Sequence, residues 1–147
     1  MKIALGTAQF GIDYGIANKS GQVNFLEANS IVNYASSIGI DTIDTAIAYG
    51  SSQKCLGKIG IKHQDIYTKL PKIPDYQSNL KKWINDHVQE SIKILKVKKL
   101  SGLLLHRPSQ LLDVDKKDLW KILIDLKAKG LVRKIGFSIY TPDELDV

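Results

Sequence analysis

Cysteine is almost absent. Cys55 is the only one in 147 residues, so no intrachain disulfide can form and the fold must rest on its core. A chain without cysteine pairs suits a reducing compartment, and a cytoplasmic location is expected. Long hydrophobic runs are missing as well. Stretches such as "GLLL" fall far short of the ~20 apolar residues of a membrane span, so no membrane partner is expected. The opening "MKIALGTAQF" carries one lysine but no apolar stretch ending in a small-residue cleavage site; no secretion signal is expected. Charge of one sign is not concentrated either. Lys and Arg number 21 against 15 Asp and Glu, a net charge of +6, but the cations are scattered. The densest cluster, "KVKK" at 96–99, closes a helical pattern, where lysines complement the helix dipole. Without interleaved aromatics it reads as a solvated helix end, and no nucleic-acid partner is expected.

What remains is an ordinary globular composition, 44% hydrophobic and 24% charged, long enough for one domain with its own core, taken as residues 1–147. Apolar strand-like runs alternate with helix-period segments, the pattern of a parallel α/β fold. The runs are "KIALGTA" (2–8), "DTIDTA" (41–46), "IYTKL" (66–70), "LSGLLLHR" (100–107) and "RKIGFSI" (133–139). Between them, a helix is expected from Asn24 to Ile38, with Asn24 and Glu27 as a capping box and Ile31, Tyr34, Ala35 and Ile38 inward. A short helix around "SSQKCLGKIG" follows. A third, from Ser78 to Lys96, carries the stripe Leu80, Trp83, Ile84, Val88, Ile92 and Leu95. A fourth, from Asp115 to Lys129, turns Leu119, Ile122, Leu123 and Leu126 inward. "TPDEL" opens a further helix, with Thr141 as N-cap and Pro142 at its first position.

Strands buried on both faces should be apolar throughout. Here the polar exceptions gather at C-terminal ends: Asp44, Lys69, His106 with Arg107, and Ser138. In parallel sheets and barrels those ends share the rim where ligands bind. Singly, each has a plain structural reading: a carboxylate capping loop amides, a loop tyrosine at Tyr49 packed over a helix, a snorkelling lysine, a satisfied histidine. Together they form a chemical set. A tyrosine can donate a proton, a nearby lysine cation eases formation of its phenolate, and a carboxylate holds the lysine charged. A histidine can donate a hydrogen bond to a substrate oxygen. Such a group protonates a carbonyl oxygen as negative charge grows on it, and a cofactor must supply the hydride. Elsewhere, His63 and Asp65 read as a solvated turn and no metal site is expected. Cys55, beside Leu56 and Ile59 on a helical face, reads as packing. "GTAQFG" has neither the Walker lysine nor the dinucleotide fingerprint spacing.

The ordered motifs "GTAQFG", "IDTAIAYGSS", "YTKLP", "LLLHRP" and "GLVRKIGFS" resemble the aldo/keto reductase family along essentially the whole chain. That resemblance implies a (β/α)₈ TIM barrel, of which this chain would form the N-terminal portion, about five parallel strands and four helices. It implies reduction of an aldehyde or ketone with NADPH (or NADH) and a small carbonyl substrate. It implies a catalytic tetrad of Asp44, Tyr49, Lys69 and His106, with Tyr49 as general acid, and cofactor contacts from Asp44 and Ser138. The opening "GTAQFGIDYGIAN" is similar to a bacterial subgroup often associated with surface-polysaccharide synthesis.

Departures from the family pattern shape further expectations. Gln53 stands where a glutamate is common, a change expected to be peripheral to the chemistry. Ile139 follows Ser138 where an asparagine is common, so only Ser138 carries over. A barrel needs about 250 residues and grips phosphate after strands seven and eight. The 147 residues are therefore expected to be a truncated, inactive portion that self-associates through unpaired strand edges. The alternative is a non-catalytic binding or regulatory module that keeps the fold, as in the potassium-channel β subunits that resemble the same family.

Overall fold

In the computed structural model, which describes residues 3–61, 63–75, 77–113 and 117–145, five parallel strands pair in chain order. They are β1 (Ala4–Gly6), β2 (Thr42–Asp44), β3 (Asp65–Leu70), β4 (Leu100–Leu105) and β5 (Val132–Phe137). Four α-helices connect them: α1 (Phe25–Ser37), α2 (Ser52–Ile59), α3 (Leu80–Leu95) and α4 (Leu119–Ala128). Parallel neighbours need a crossover, and a helix is the usual one.

The strands are shorter than the apolar runs, but their ladder continues beyond them. Thr7 N donates to Asp44 O at 3.0 Å, Thr45 N to Tyr67 O at 2.9 Å and Ile47 N to Lys69 O at 3.2 Å. After "GTA" the chain leaves the sheet for a 3₁₀ turn at Ala8–Phe10, and Lys2 lies outside the described residues. β3 begins one residue early, which corrects the reading of Asp65 as a turn residue. Its carboxylate accepts from Ser101 Oγ at 2.8 Å and pairs with Arg133 at 2.7 Å, so three strands are tied at the N-terminal rim.

Register places the rim residues. Gly6 pairs with Asp44, Asp44 with Tyr67, Lys69 with Leu104 and Leu104 with Gly136. Lys69 stands two residues beyond the partner of Asp44, His106 two beyond the partner of Lys69, and Ser138 two beyond that of Leu104. Side chains alternate with a period of two, so a two-residue step keeps one face. The steps also climb along the strands, the stagger that closes a tilted sheet into a barrel.

The helices cover the opposite face. Ile43, Ile66, Leu70, Leu103 and Leu105 meet Leu56, Ile84, Val88, Leu95, Leu119, Leu123 and Leu126 in a core that excludes water almost completely. Each such side chain contributes about 1.5–3 kcal/mol by burial. The α3 and α4 faces are those the apolar periodicity indicates. α4 starts at Leu119, two residues inside the described segment, and Asp115, its expected start, lies outside the described residues.

α1 differs. Asn24 caps it as expected, its Oδ1 accepting from Glu27 N at 3.0 Å. The buried residues are Ala28, Val32 and Ala35, while Tyr34 is 68% and Ile38 56% exposed. Two alanines and a valine form a narrow, shallow stripe; Ile31 packs against the core at its edge, and the bulkier Tyr34 and Ile38, four residues apart, fall together beyond it on the same side. At the C-terminal end, Pro142–Leu145 form a 3₁₀ turn, and Glu144 Oε2 accepts from the backbone N–H groups of Tyr140 and Thr141. No helix among the described residues is long and apolar enough to cross a membrane.

Candidate active site

Lys69 is the centre of the site. Its side chain leaves the end of β3 on the inner face and is 5% exposed. A buried ammonium costs several kcal/mol unless it is paired and hydrogen-bonded. Asp44 pairs it, with carboxylate oxygens 2.6 and 2.8 Å from Nζ. Thr45 O lies at 3.2 Å and Tyr49 Oη at 3.3 Å. An ammonium has three protons, and three groups surround this one: the carboxylate, the carbonyl and the phenol oxygen.

Tyr49 reaches the rim from the loop after β2. Tyr49 N donates to Ala46 O at 3.1 Å, and Ser52 N at the head of α2 donates to Tyr49 O at 2.9 Å. The loop after β1 braces it from the other side. Gly50 adopts φ +52°, and a Cβ there would stand 2.4 Å from Gly11 O. Ser51 N donates to that same oxygen at 3.4 Å, and Gln22 Nε2 bridges Phe10 O and Ser51 Oγ. Two glycines allow two backbones to touch, and Tyr49 is held by the contact.

His106 follows β4, its N–H donating to Leu70 O at 3.3 Å. Its ring meets that of Tyr49 edge to face, centroids 5.8 Å apart at 80°. Burial pushes the imidazole pKa down, the Lys69 and Arg107 cations push it further, and Asp44 opposes them. A neutral imidazole is the favoured form, with one N–H to donate and one lone pair to accept. Ser138 N donates to Leu105 O at 2.9 Å, which sets Ser138 on the rim beside His106. The structure thus brings Asp44, Tyr49, Lys69 and His106 into one cluster with Ser138 at its β5 side. Arg107 is exposed.

A cleft of about 470 Å³ opens beside Asp44 and Tyr49, walled by Gly6, Thr7, Ala8, Gln9, Tyr14 and Gly15. Nothing stands within 4 Å of where a Cβ on Gly6 would be, so a flat ring can lie against the β1 backbone. The loop forming the outer wall is cross-linked by Asn18, whose amide nitrogen shares its two protons among Asp13 Oδ1, Tyr14 O and Gly21 O.

Other polar candidates lie elsewhere. His63 is exposed, and His87 sits in α3 against Trp83. Among the described residues no group of three or more His, Cys, Asp or Glu is placed to hold a metal ion. Burial raises the Cys55 thiol pKa, with Lys58 opposing weakly, an environment that keeps a thiol inert. Gln53 is buried and donates to Thr68 Oγ1 at 2.8 Å, on the helix side of β3, away from Lys69. Sequence reasoning missed the buried Thr7, Thr45 and Ser52, whose hydroxyls meet behind Asp44. Threonine is common in strands and serine at helix starts, so their residue types carried no signal.

A model of the aldo/keto reductase family matches residues 2–147. An uncharacterized oxidoreductase of Schizosaccharomyces pombe is 31% identical over 121 residues, which are 76% of this chain and 42% of that protein. Methylglyoxal reductase DkgA of Salmonella typhimurium is 29% identical over 113 residues, 75% of this chain and 39% of that one. Among solved structures, a putative aldo-keto reductase from Pseudomonas aeruginosa superposes with a TM-score of 0.76 at 29% identity, covering 92% of this chain and 54% of its own. The holo form of an aldo-keto reductase from Bacillus halodurans shares the fold, with a TM-score of 0.74 at 19% identity, over 99% of this chain and 48% of its own. The chain therefore spans about two fifths of the curated relatives' length and half that of the solved ones, and its five strands and four helices are a portion of their TIM barrel. It belongs to the aldo/keto reductase family.

Proposed function

We propose that the Asp44–Lys69–Tyr49–His106 cluster protonates a carbonyl oxygen during reduction of an aldehyde or ketone to an alcohol. The observation that carries this reading is the 3.3 Å approach of Lys69 Nζ to Tyr49 Oη. Lys69 cannot accept a hydrogen bond, so the tyrosine oxygen must be the acceptor. The phenol's own proton is then free to point into the cleft, toward a substrate oxygen. As that proton leaves, the ammonium stabilises the phenolate, and Asp44 keeps the ammonium charged and aimed. His106, favoured neutral, donates to the same substrate oxygen and orients the carbonyl.

The cleft fits the nicotinamide end of a cofactor: a flat, open floor at Gly6, polar groups at its edge and a volume within the usual range for small-molecule sites. Asp44 and Ser138 would hold that end, and the cofactor, NADPH or NADH, supplies the hydride when bound. The curated relatives named as reductases of methylglyoxal make a small 2-oxoaldehyde the first substrate to test. We propose further that turnover and tight cofactor binding need the barrel strands that full-length relatives carry beyond the matched span, because barrels of this kind grip phosphate after strands seven and eight. The assembled tetrad favours a catalytic lineage over a binding or regulatory module that merely keeps the fold.

The test is cofactor consumption, followed by near-ultraviolet absorbance, for the 147-residue chain alone and for the chain extended by the C-terminal half of a family member. Turnover is expected in the extended form. Tyr49→Phe should lower its kcat by about 10²–10⁴-fold, the usual worth of a general acid, with cofactor affinity nearly unchanged. Full turnover by Tyr49→Phe would remove the tyrosine from the mechanism.

A further inference from the structure

Behind Asp44, on the helix side of the sheet, three fully buried hydroxyls lie in a row. Thr7, Thr45 and Ser52 are each 0% exposed. Thr45 Oγ1 and Ser52 Oγ are 3.2 Å apart. Ser52 Oγ donates to Thr7 O at 2.8 Å or to Thr7 Oγ1 at 3.0 Å. Thr7 Oγ1 donates to the backbone carbonyl of Asp44 at 2.9 Å, and Thr7 N donates to it at 3.0 Å.

One direction satisfies every group. Each hydroxyl has one proton, Thr7 spends its own on Asp44 O, and Ser52 spends its own on Thr7. Thr45 must then donate to Ser52. With the Ser52 proton on Thr7 Oγ1 the relay runs Thr45 to Ser52 to Thr7 to Asp44 O, and bonds in such a chain polarise and strengthen one another; on Thr7 O the same proton ties Ser52 to the Thr7 peptide. At its end, Asp44 O accepts two protons, one on each lone pair, which fixes the peptide that carries the carboxylate.

The same residues touch the tetrad through their backbones. Thr45 O accepts from Lys69 Nζ, and Ser52 N donates to the carbonyl of Tyr49. The relay therefore joins the supports of all three: the Asp44 peptide, a carbonyl ligand of Lys69 and the loop carrying Tyr49. Thr7 also forms part of the cleft wall, but all three side chains are fully buried. A need for stability alone would be met by three apolar residues, because unpaired polar groups are what burial penalises.

We propose that the Thr7–Thr45–Ser52 hydroxyl relay is a positioning device that holds Asp44, Lys69 and Tyr49 in their mutual geometry. Its catalytic meaning rests on the proposed roles of Lys69 and Tyr49, but the geometry can be read without turnover. Lys69 is a nearly buried amine among many exposed ones, so the rate at which an amine reagent labels it reports how tightly it is clamped. The other lysines serve as internal standards.

The experiment is competitive labelling of the whole 147-residue chain, with mass spectrometry of each lysine. Variants are Ser52→Ala and Thr7→Val, which lose a hydroxyl, and Thr7→Ser, which keeps it. Ile84→Val, a core change on α3, controls for stability, and thermal unfolding is recorded for all. Lys69 labelling should rise about fivefold or more in Thr7→Val and Ser52→Ala, the scale of one lost hydrogen bond. It should stay at the parent rate in Thr7→Ser and in Ile84→Val. Parent-rate labelling in folded Thr7→Val, or an equal rise in Ile84→Val at matched stability, would overturn the proposal. If Ser52→Ala does not fold, Thr7→Val and Thr7→Ser decide the matter. Because labelling does not depend on reduction, its outcome stays separate from any failure of the proposed reaction.

Discussion

A Cβ on Gly11 would lie 1.8 Å from the backbone oxygen of Tyr49 and 2.3 Å from Ser52 N. The loop after β1 and the loop after β2 thus touch backbone to backbone, and the touching point is the backbone of the proposed acid itself. Gly11→Ala must push the Tyr49 loop away from Lys69. The expected result is a stability loss of about 1–3 kcal/mol, typical of overpacking, with kcat falling more than KM rises. Urea unfolding and steady-state kinetics on the extended, active form measure both; unchanged kcat would show that the loop tolerates the shift.

Gln110 closes the loop after β3. Its amide accepts from Ile73 N and donates to Ile73 O, both at 2.9 Å, with Gln110 6% and Ile73 1% exposed. Gln110→Ala leaves a buried N–H and a buried C=O without partners. The expected loss is about 2–4 kcal/mol in the urea unfolding free energy. Gln110→Glu should recover only the bond from Ile73 N, since a carboxylate cannot donate. A loss below ~1 kcal/mol for the alanine variant would mean that water replaces the amide.

His106 gives the protein an acid-side sensitivity. Its folded pKa lies below the ordinary 6.5 because of burial first and the Lys69 and Arg107 cations next. Below 6.5 the unfolded chain takes up a proton that the folded one refuses, so stability falls as pH drops from 6.5 toward the folded value and is unaffected above it. His106→Gln should flatten that part of the urea-midpoint profile between pH 8 and pH ~5. A variant profile parallel to the parent's would assign the slope to other groups.

Much of this was legible in the sequence, for identifiable reasons. The Asp44, Lys69, His106 and Ser138 positions stand out because strands buried on both faces should be apolar throughout, so a polar residue at the C-terminal end is conspicuous. The α3 and α4 faces follow from long leucine- and isoleucine-rich stripes. On α1, Ala35 and Ile31 face the core as expected, but Tyr34 and Ile38 were misread: small residues win by fitting there, and these two look more hydrophobic yet lie outside. Asp65 was misread because its partners, Ser101 and Arg133, are distant in the chain. The Thr7–Thr45–Ser52 relay was invisible for the same reason: three common hydroxyl residues acquire meaning only when the sheet brings them together.

The central claim is that Lys69 acts through the oxygen of Tyr49. A double-mutant cycle on kcat tests it most directly, with Lys69→Met, Tyr49→Phe and the pair, in the extended, active form. Lys69→Met alone should slow turnover because the phenolate loses its cation. Once Tyr49 no longer gives up a proton, the lysine has nothing left to stabilise, so the double variant should be no slower than Tyr49→Phe, within about twofold. Losses that multiply, with the double variant slower than Tyr49→Phe by the full factor of Lys69→Met, would show that the two residues act independently and would contradict the account.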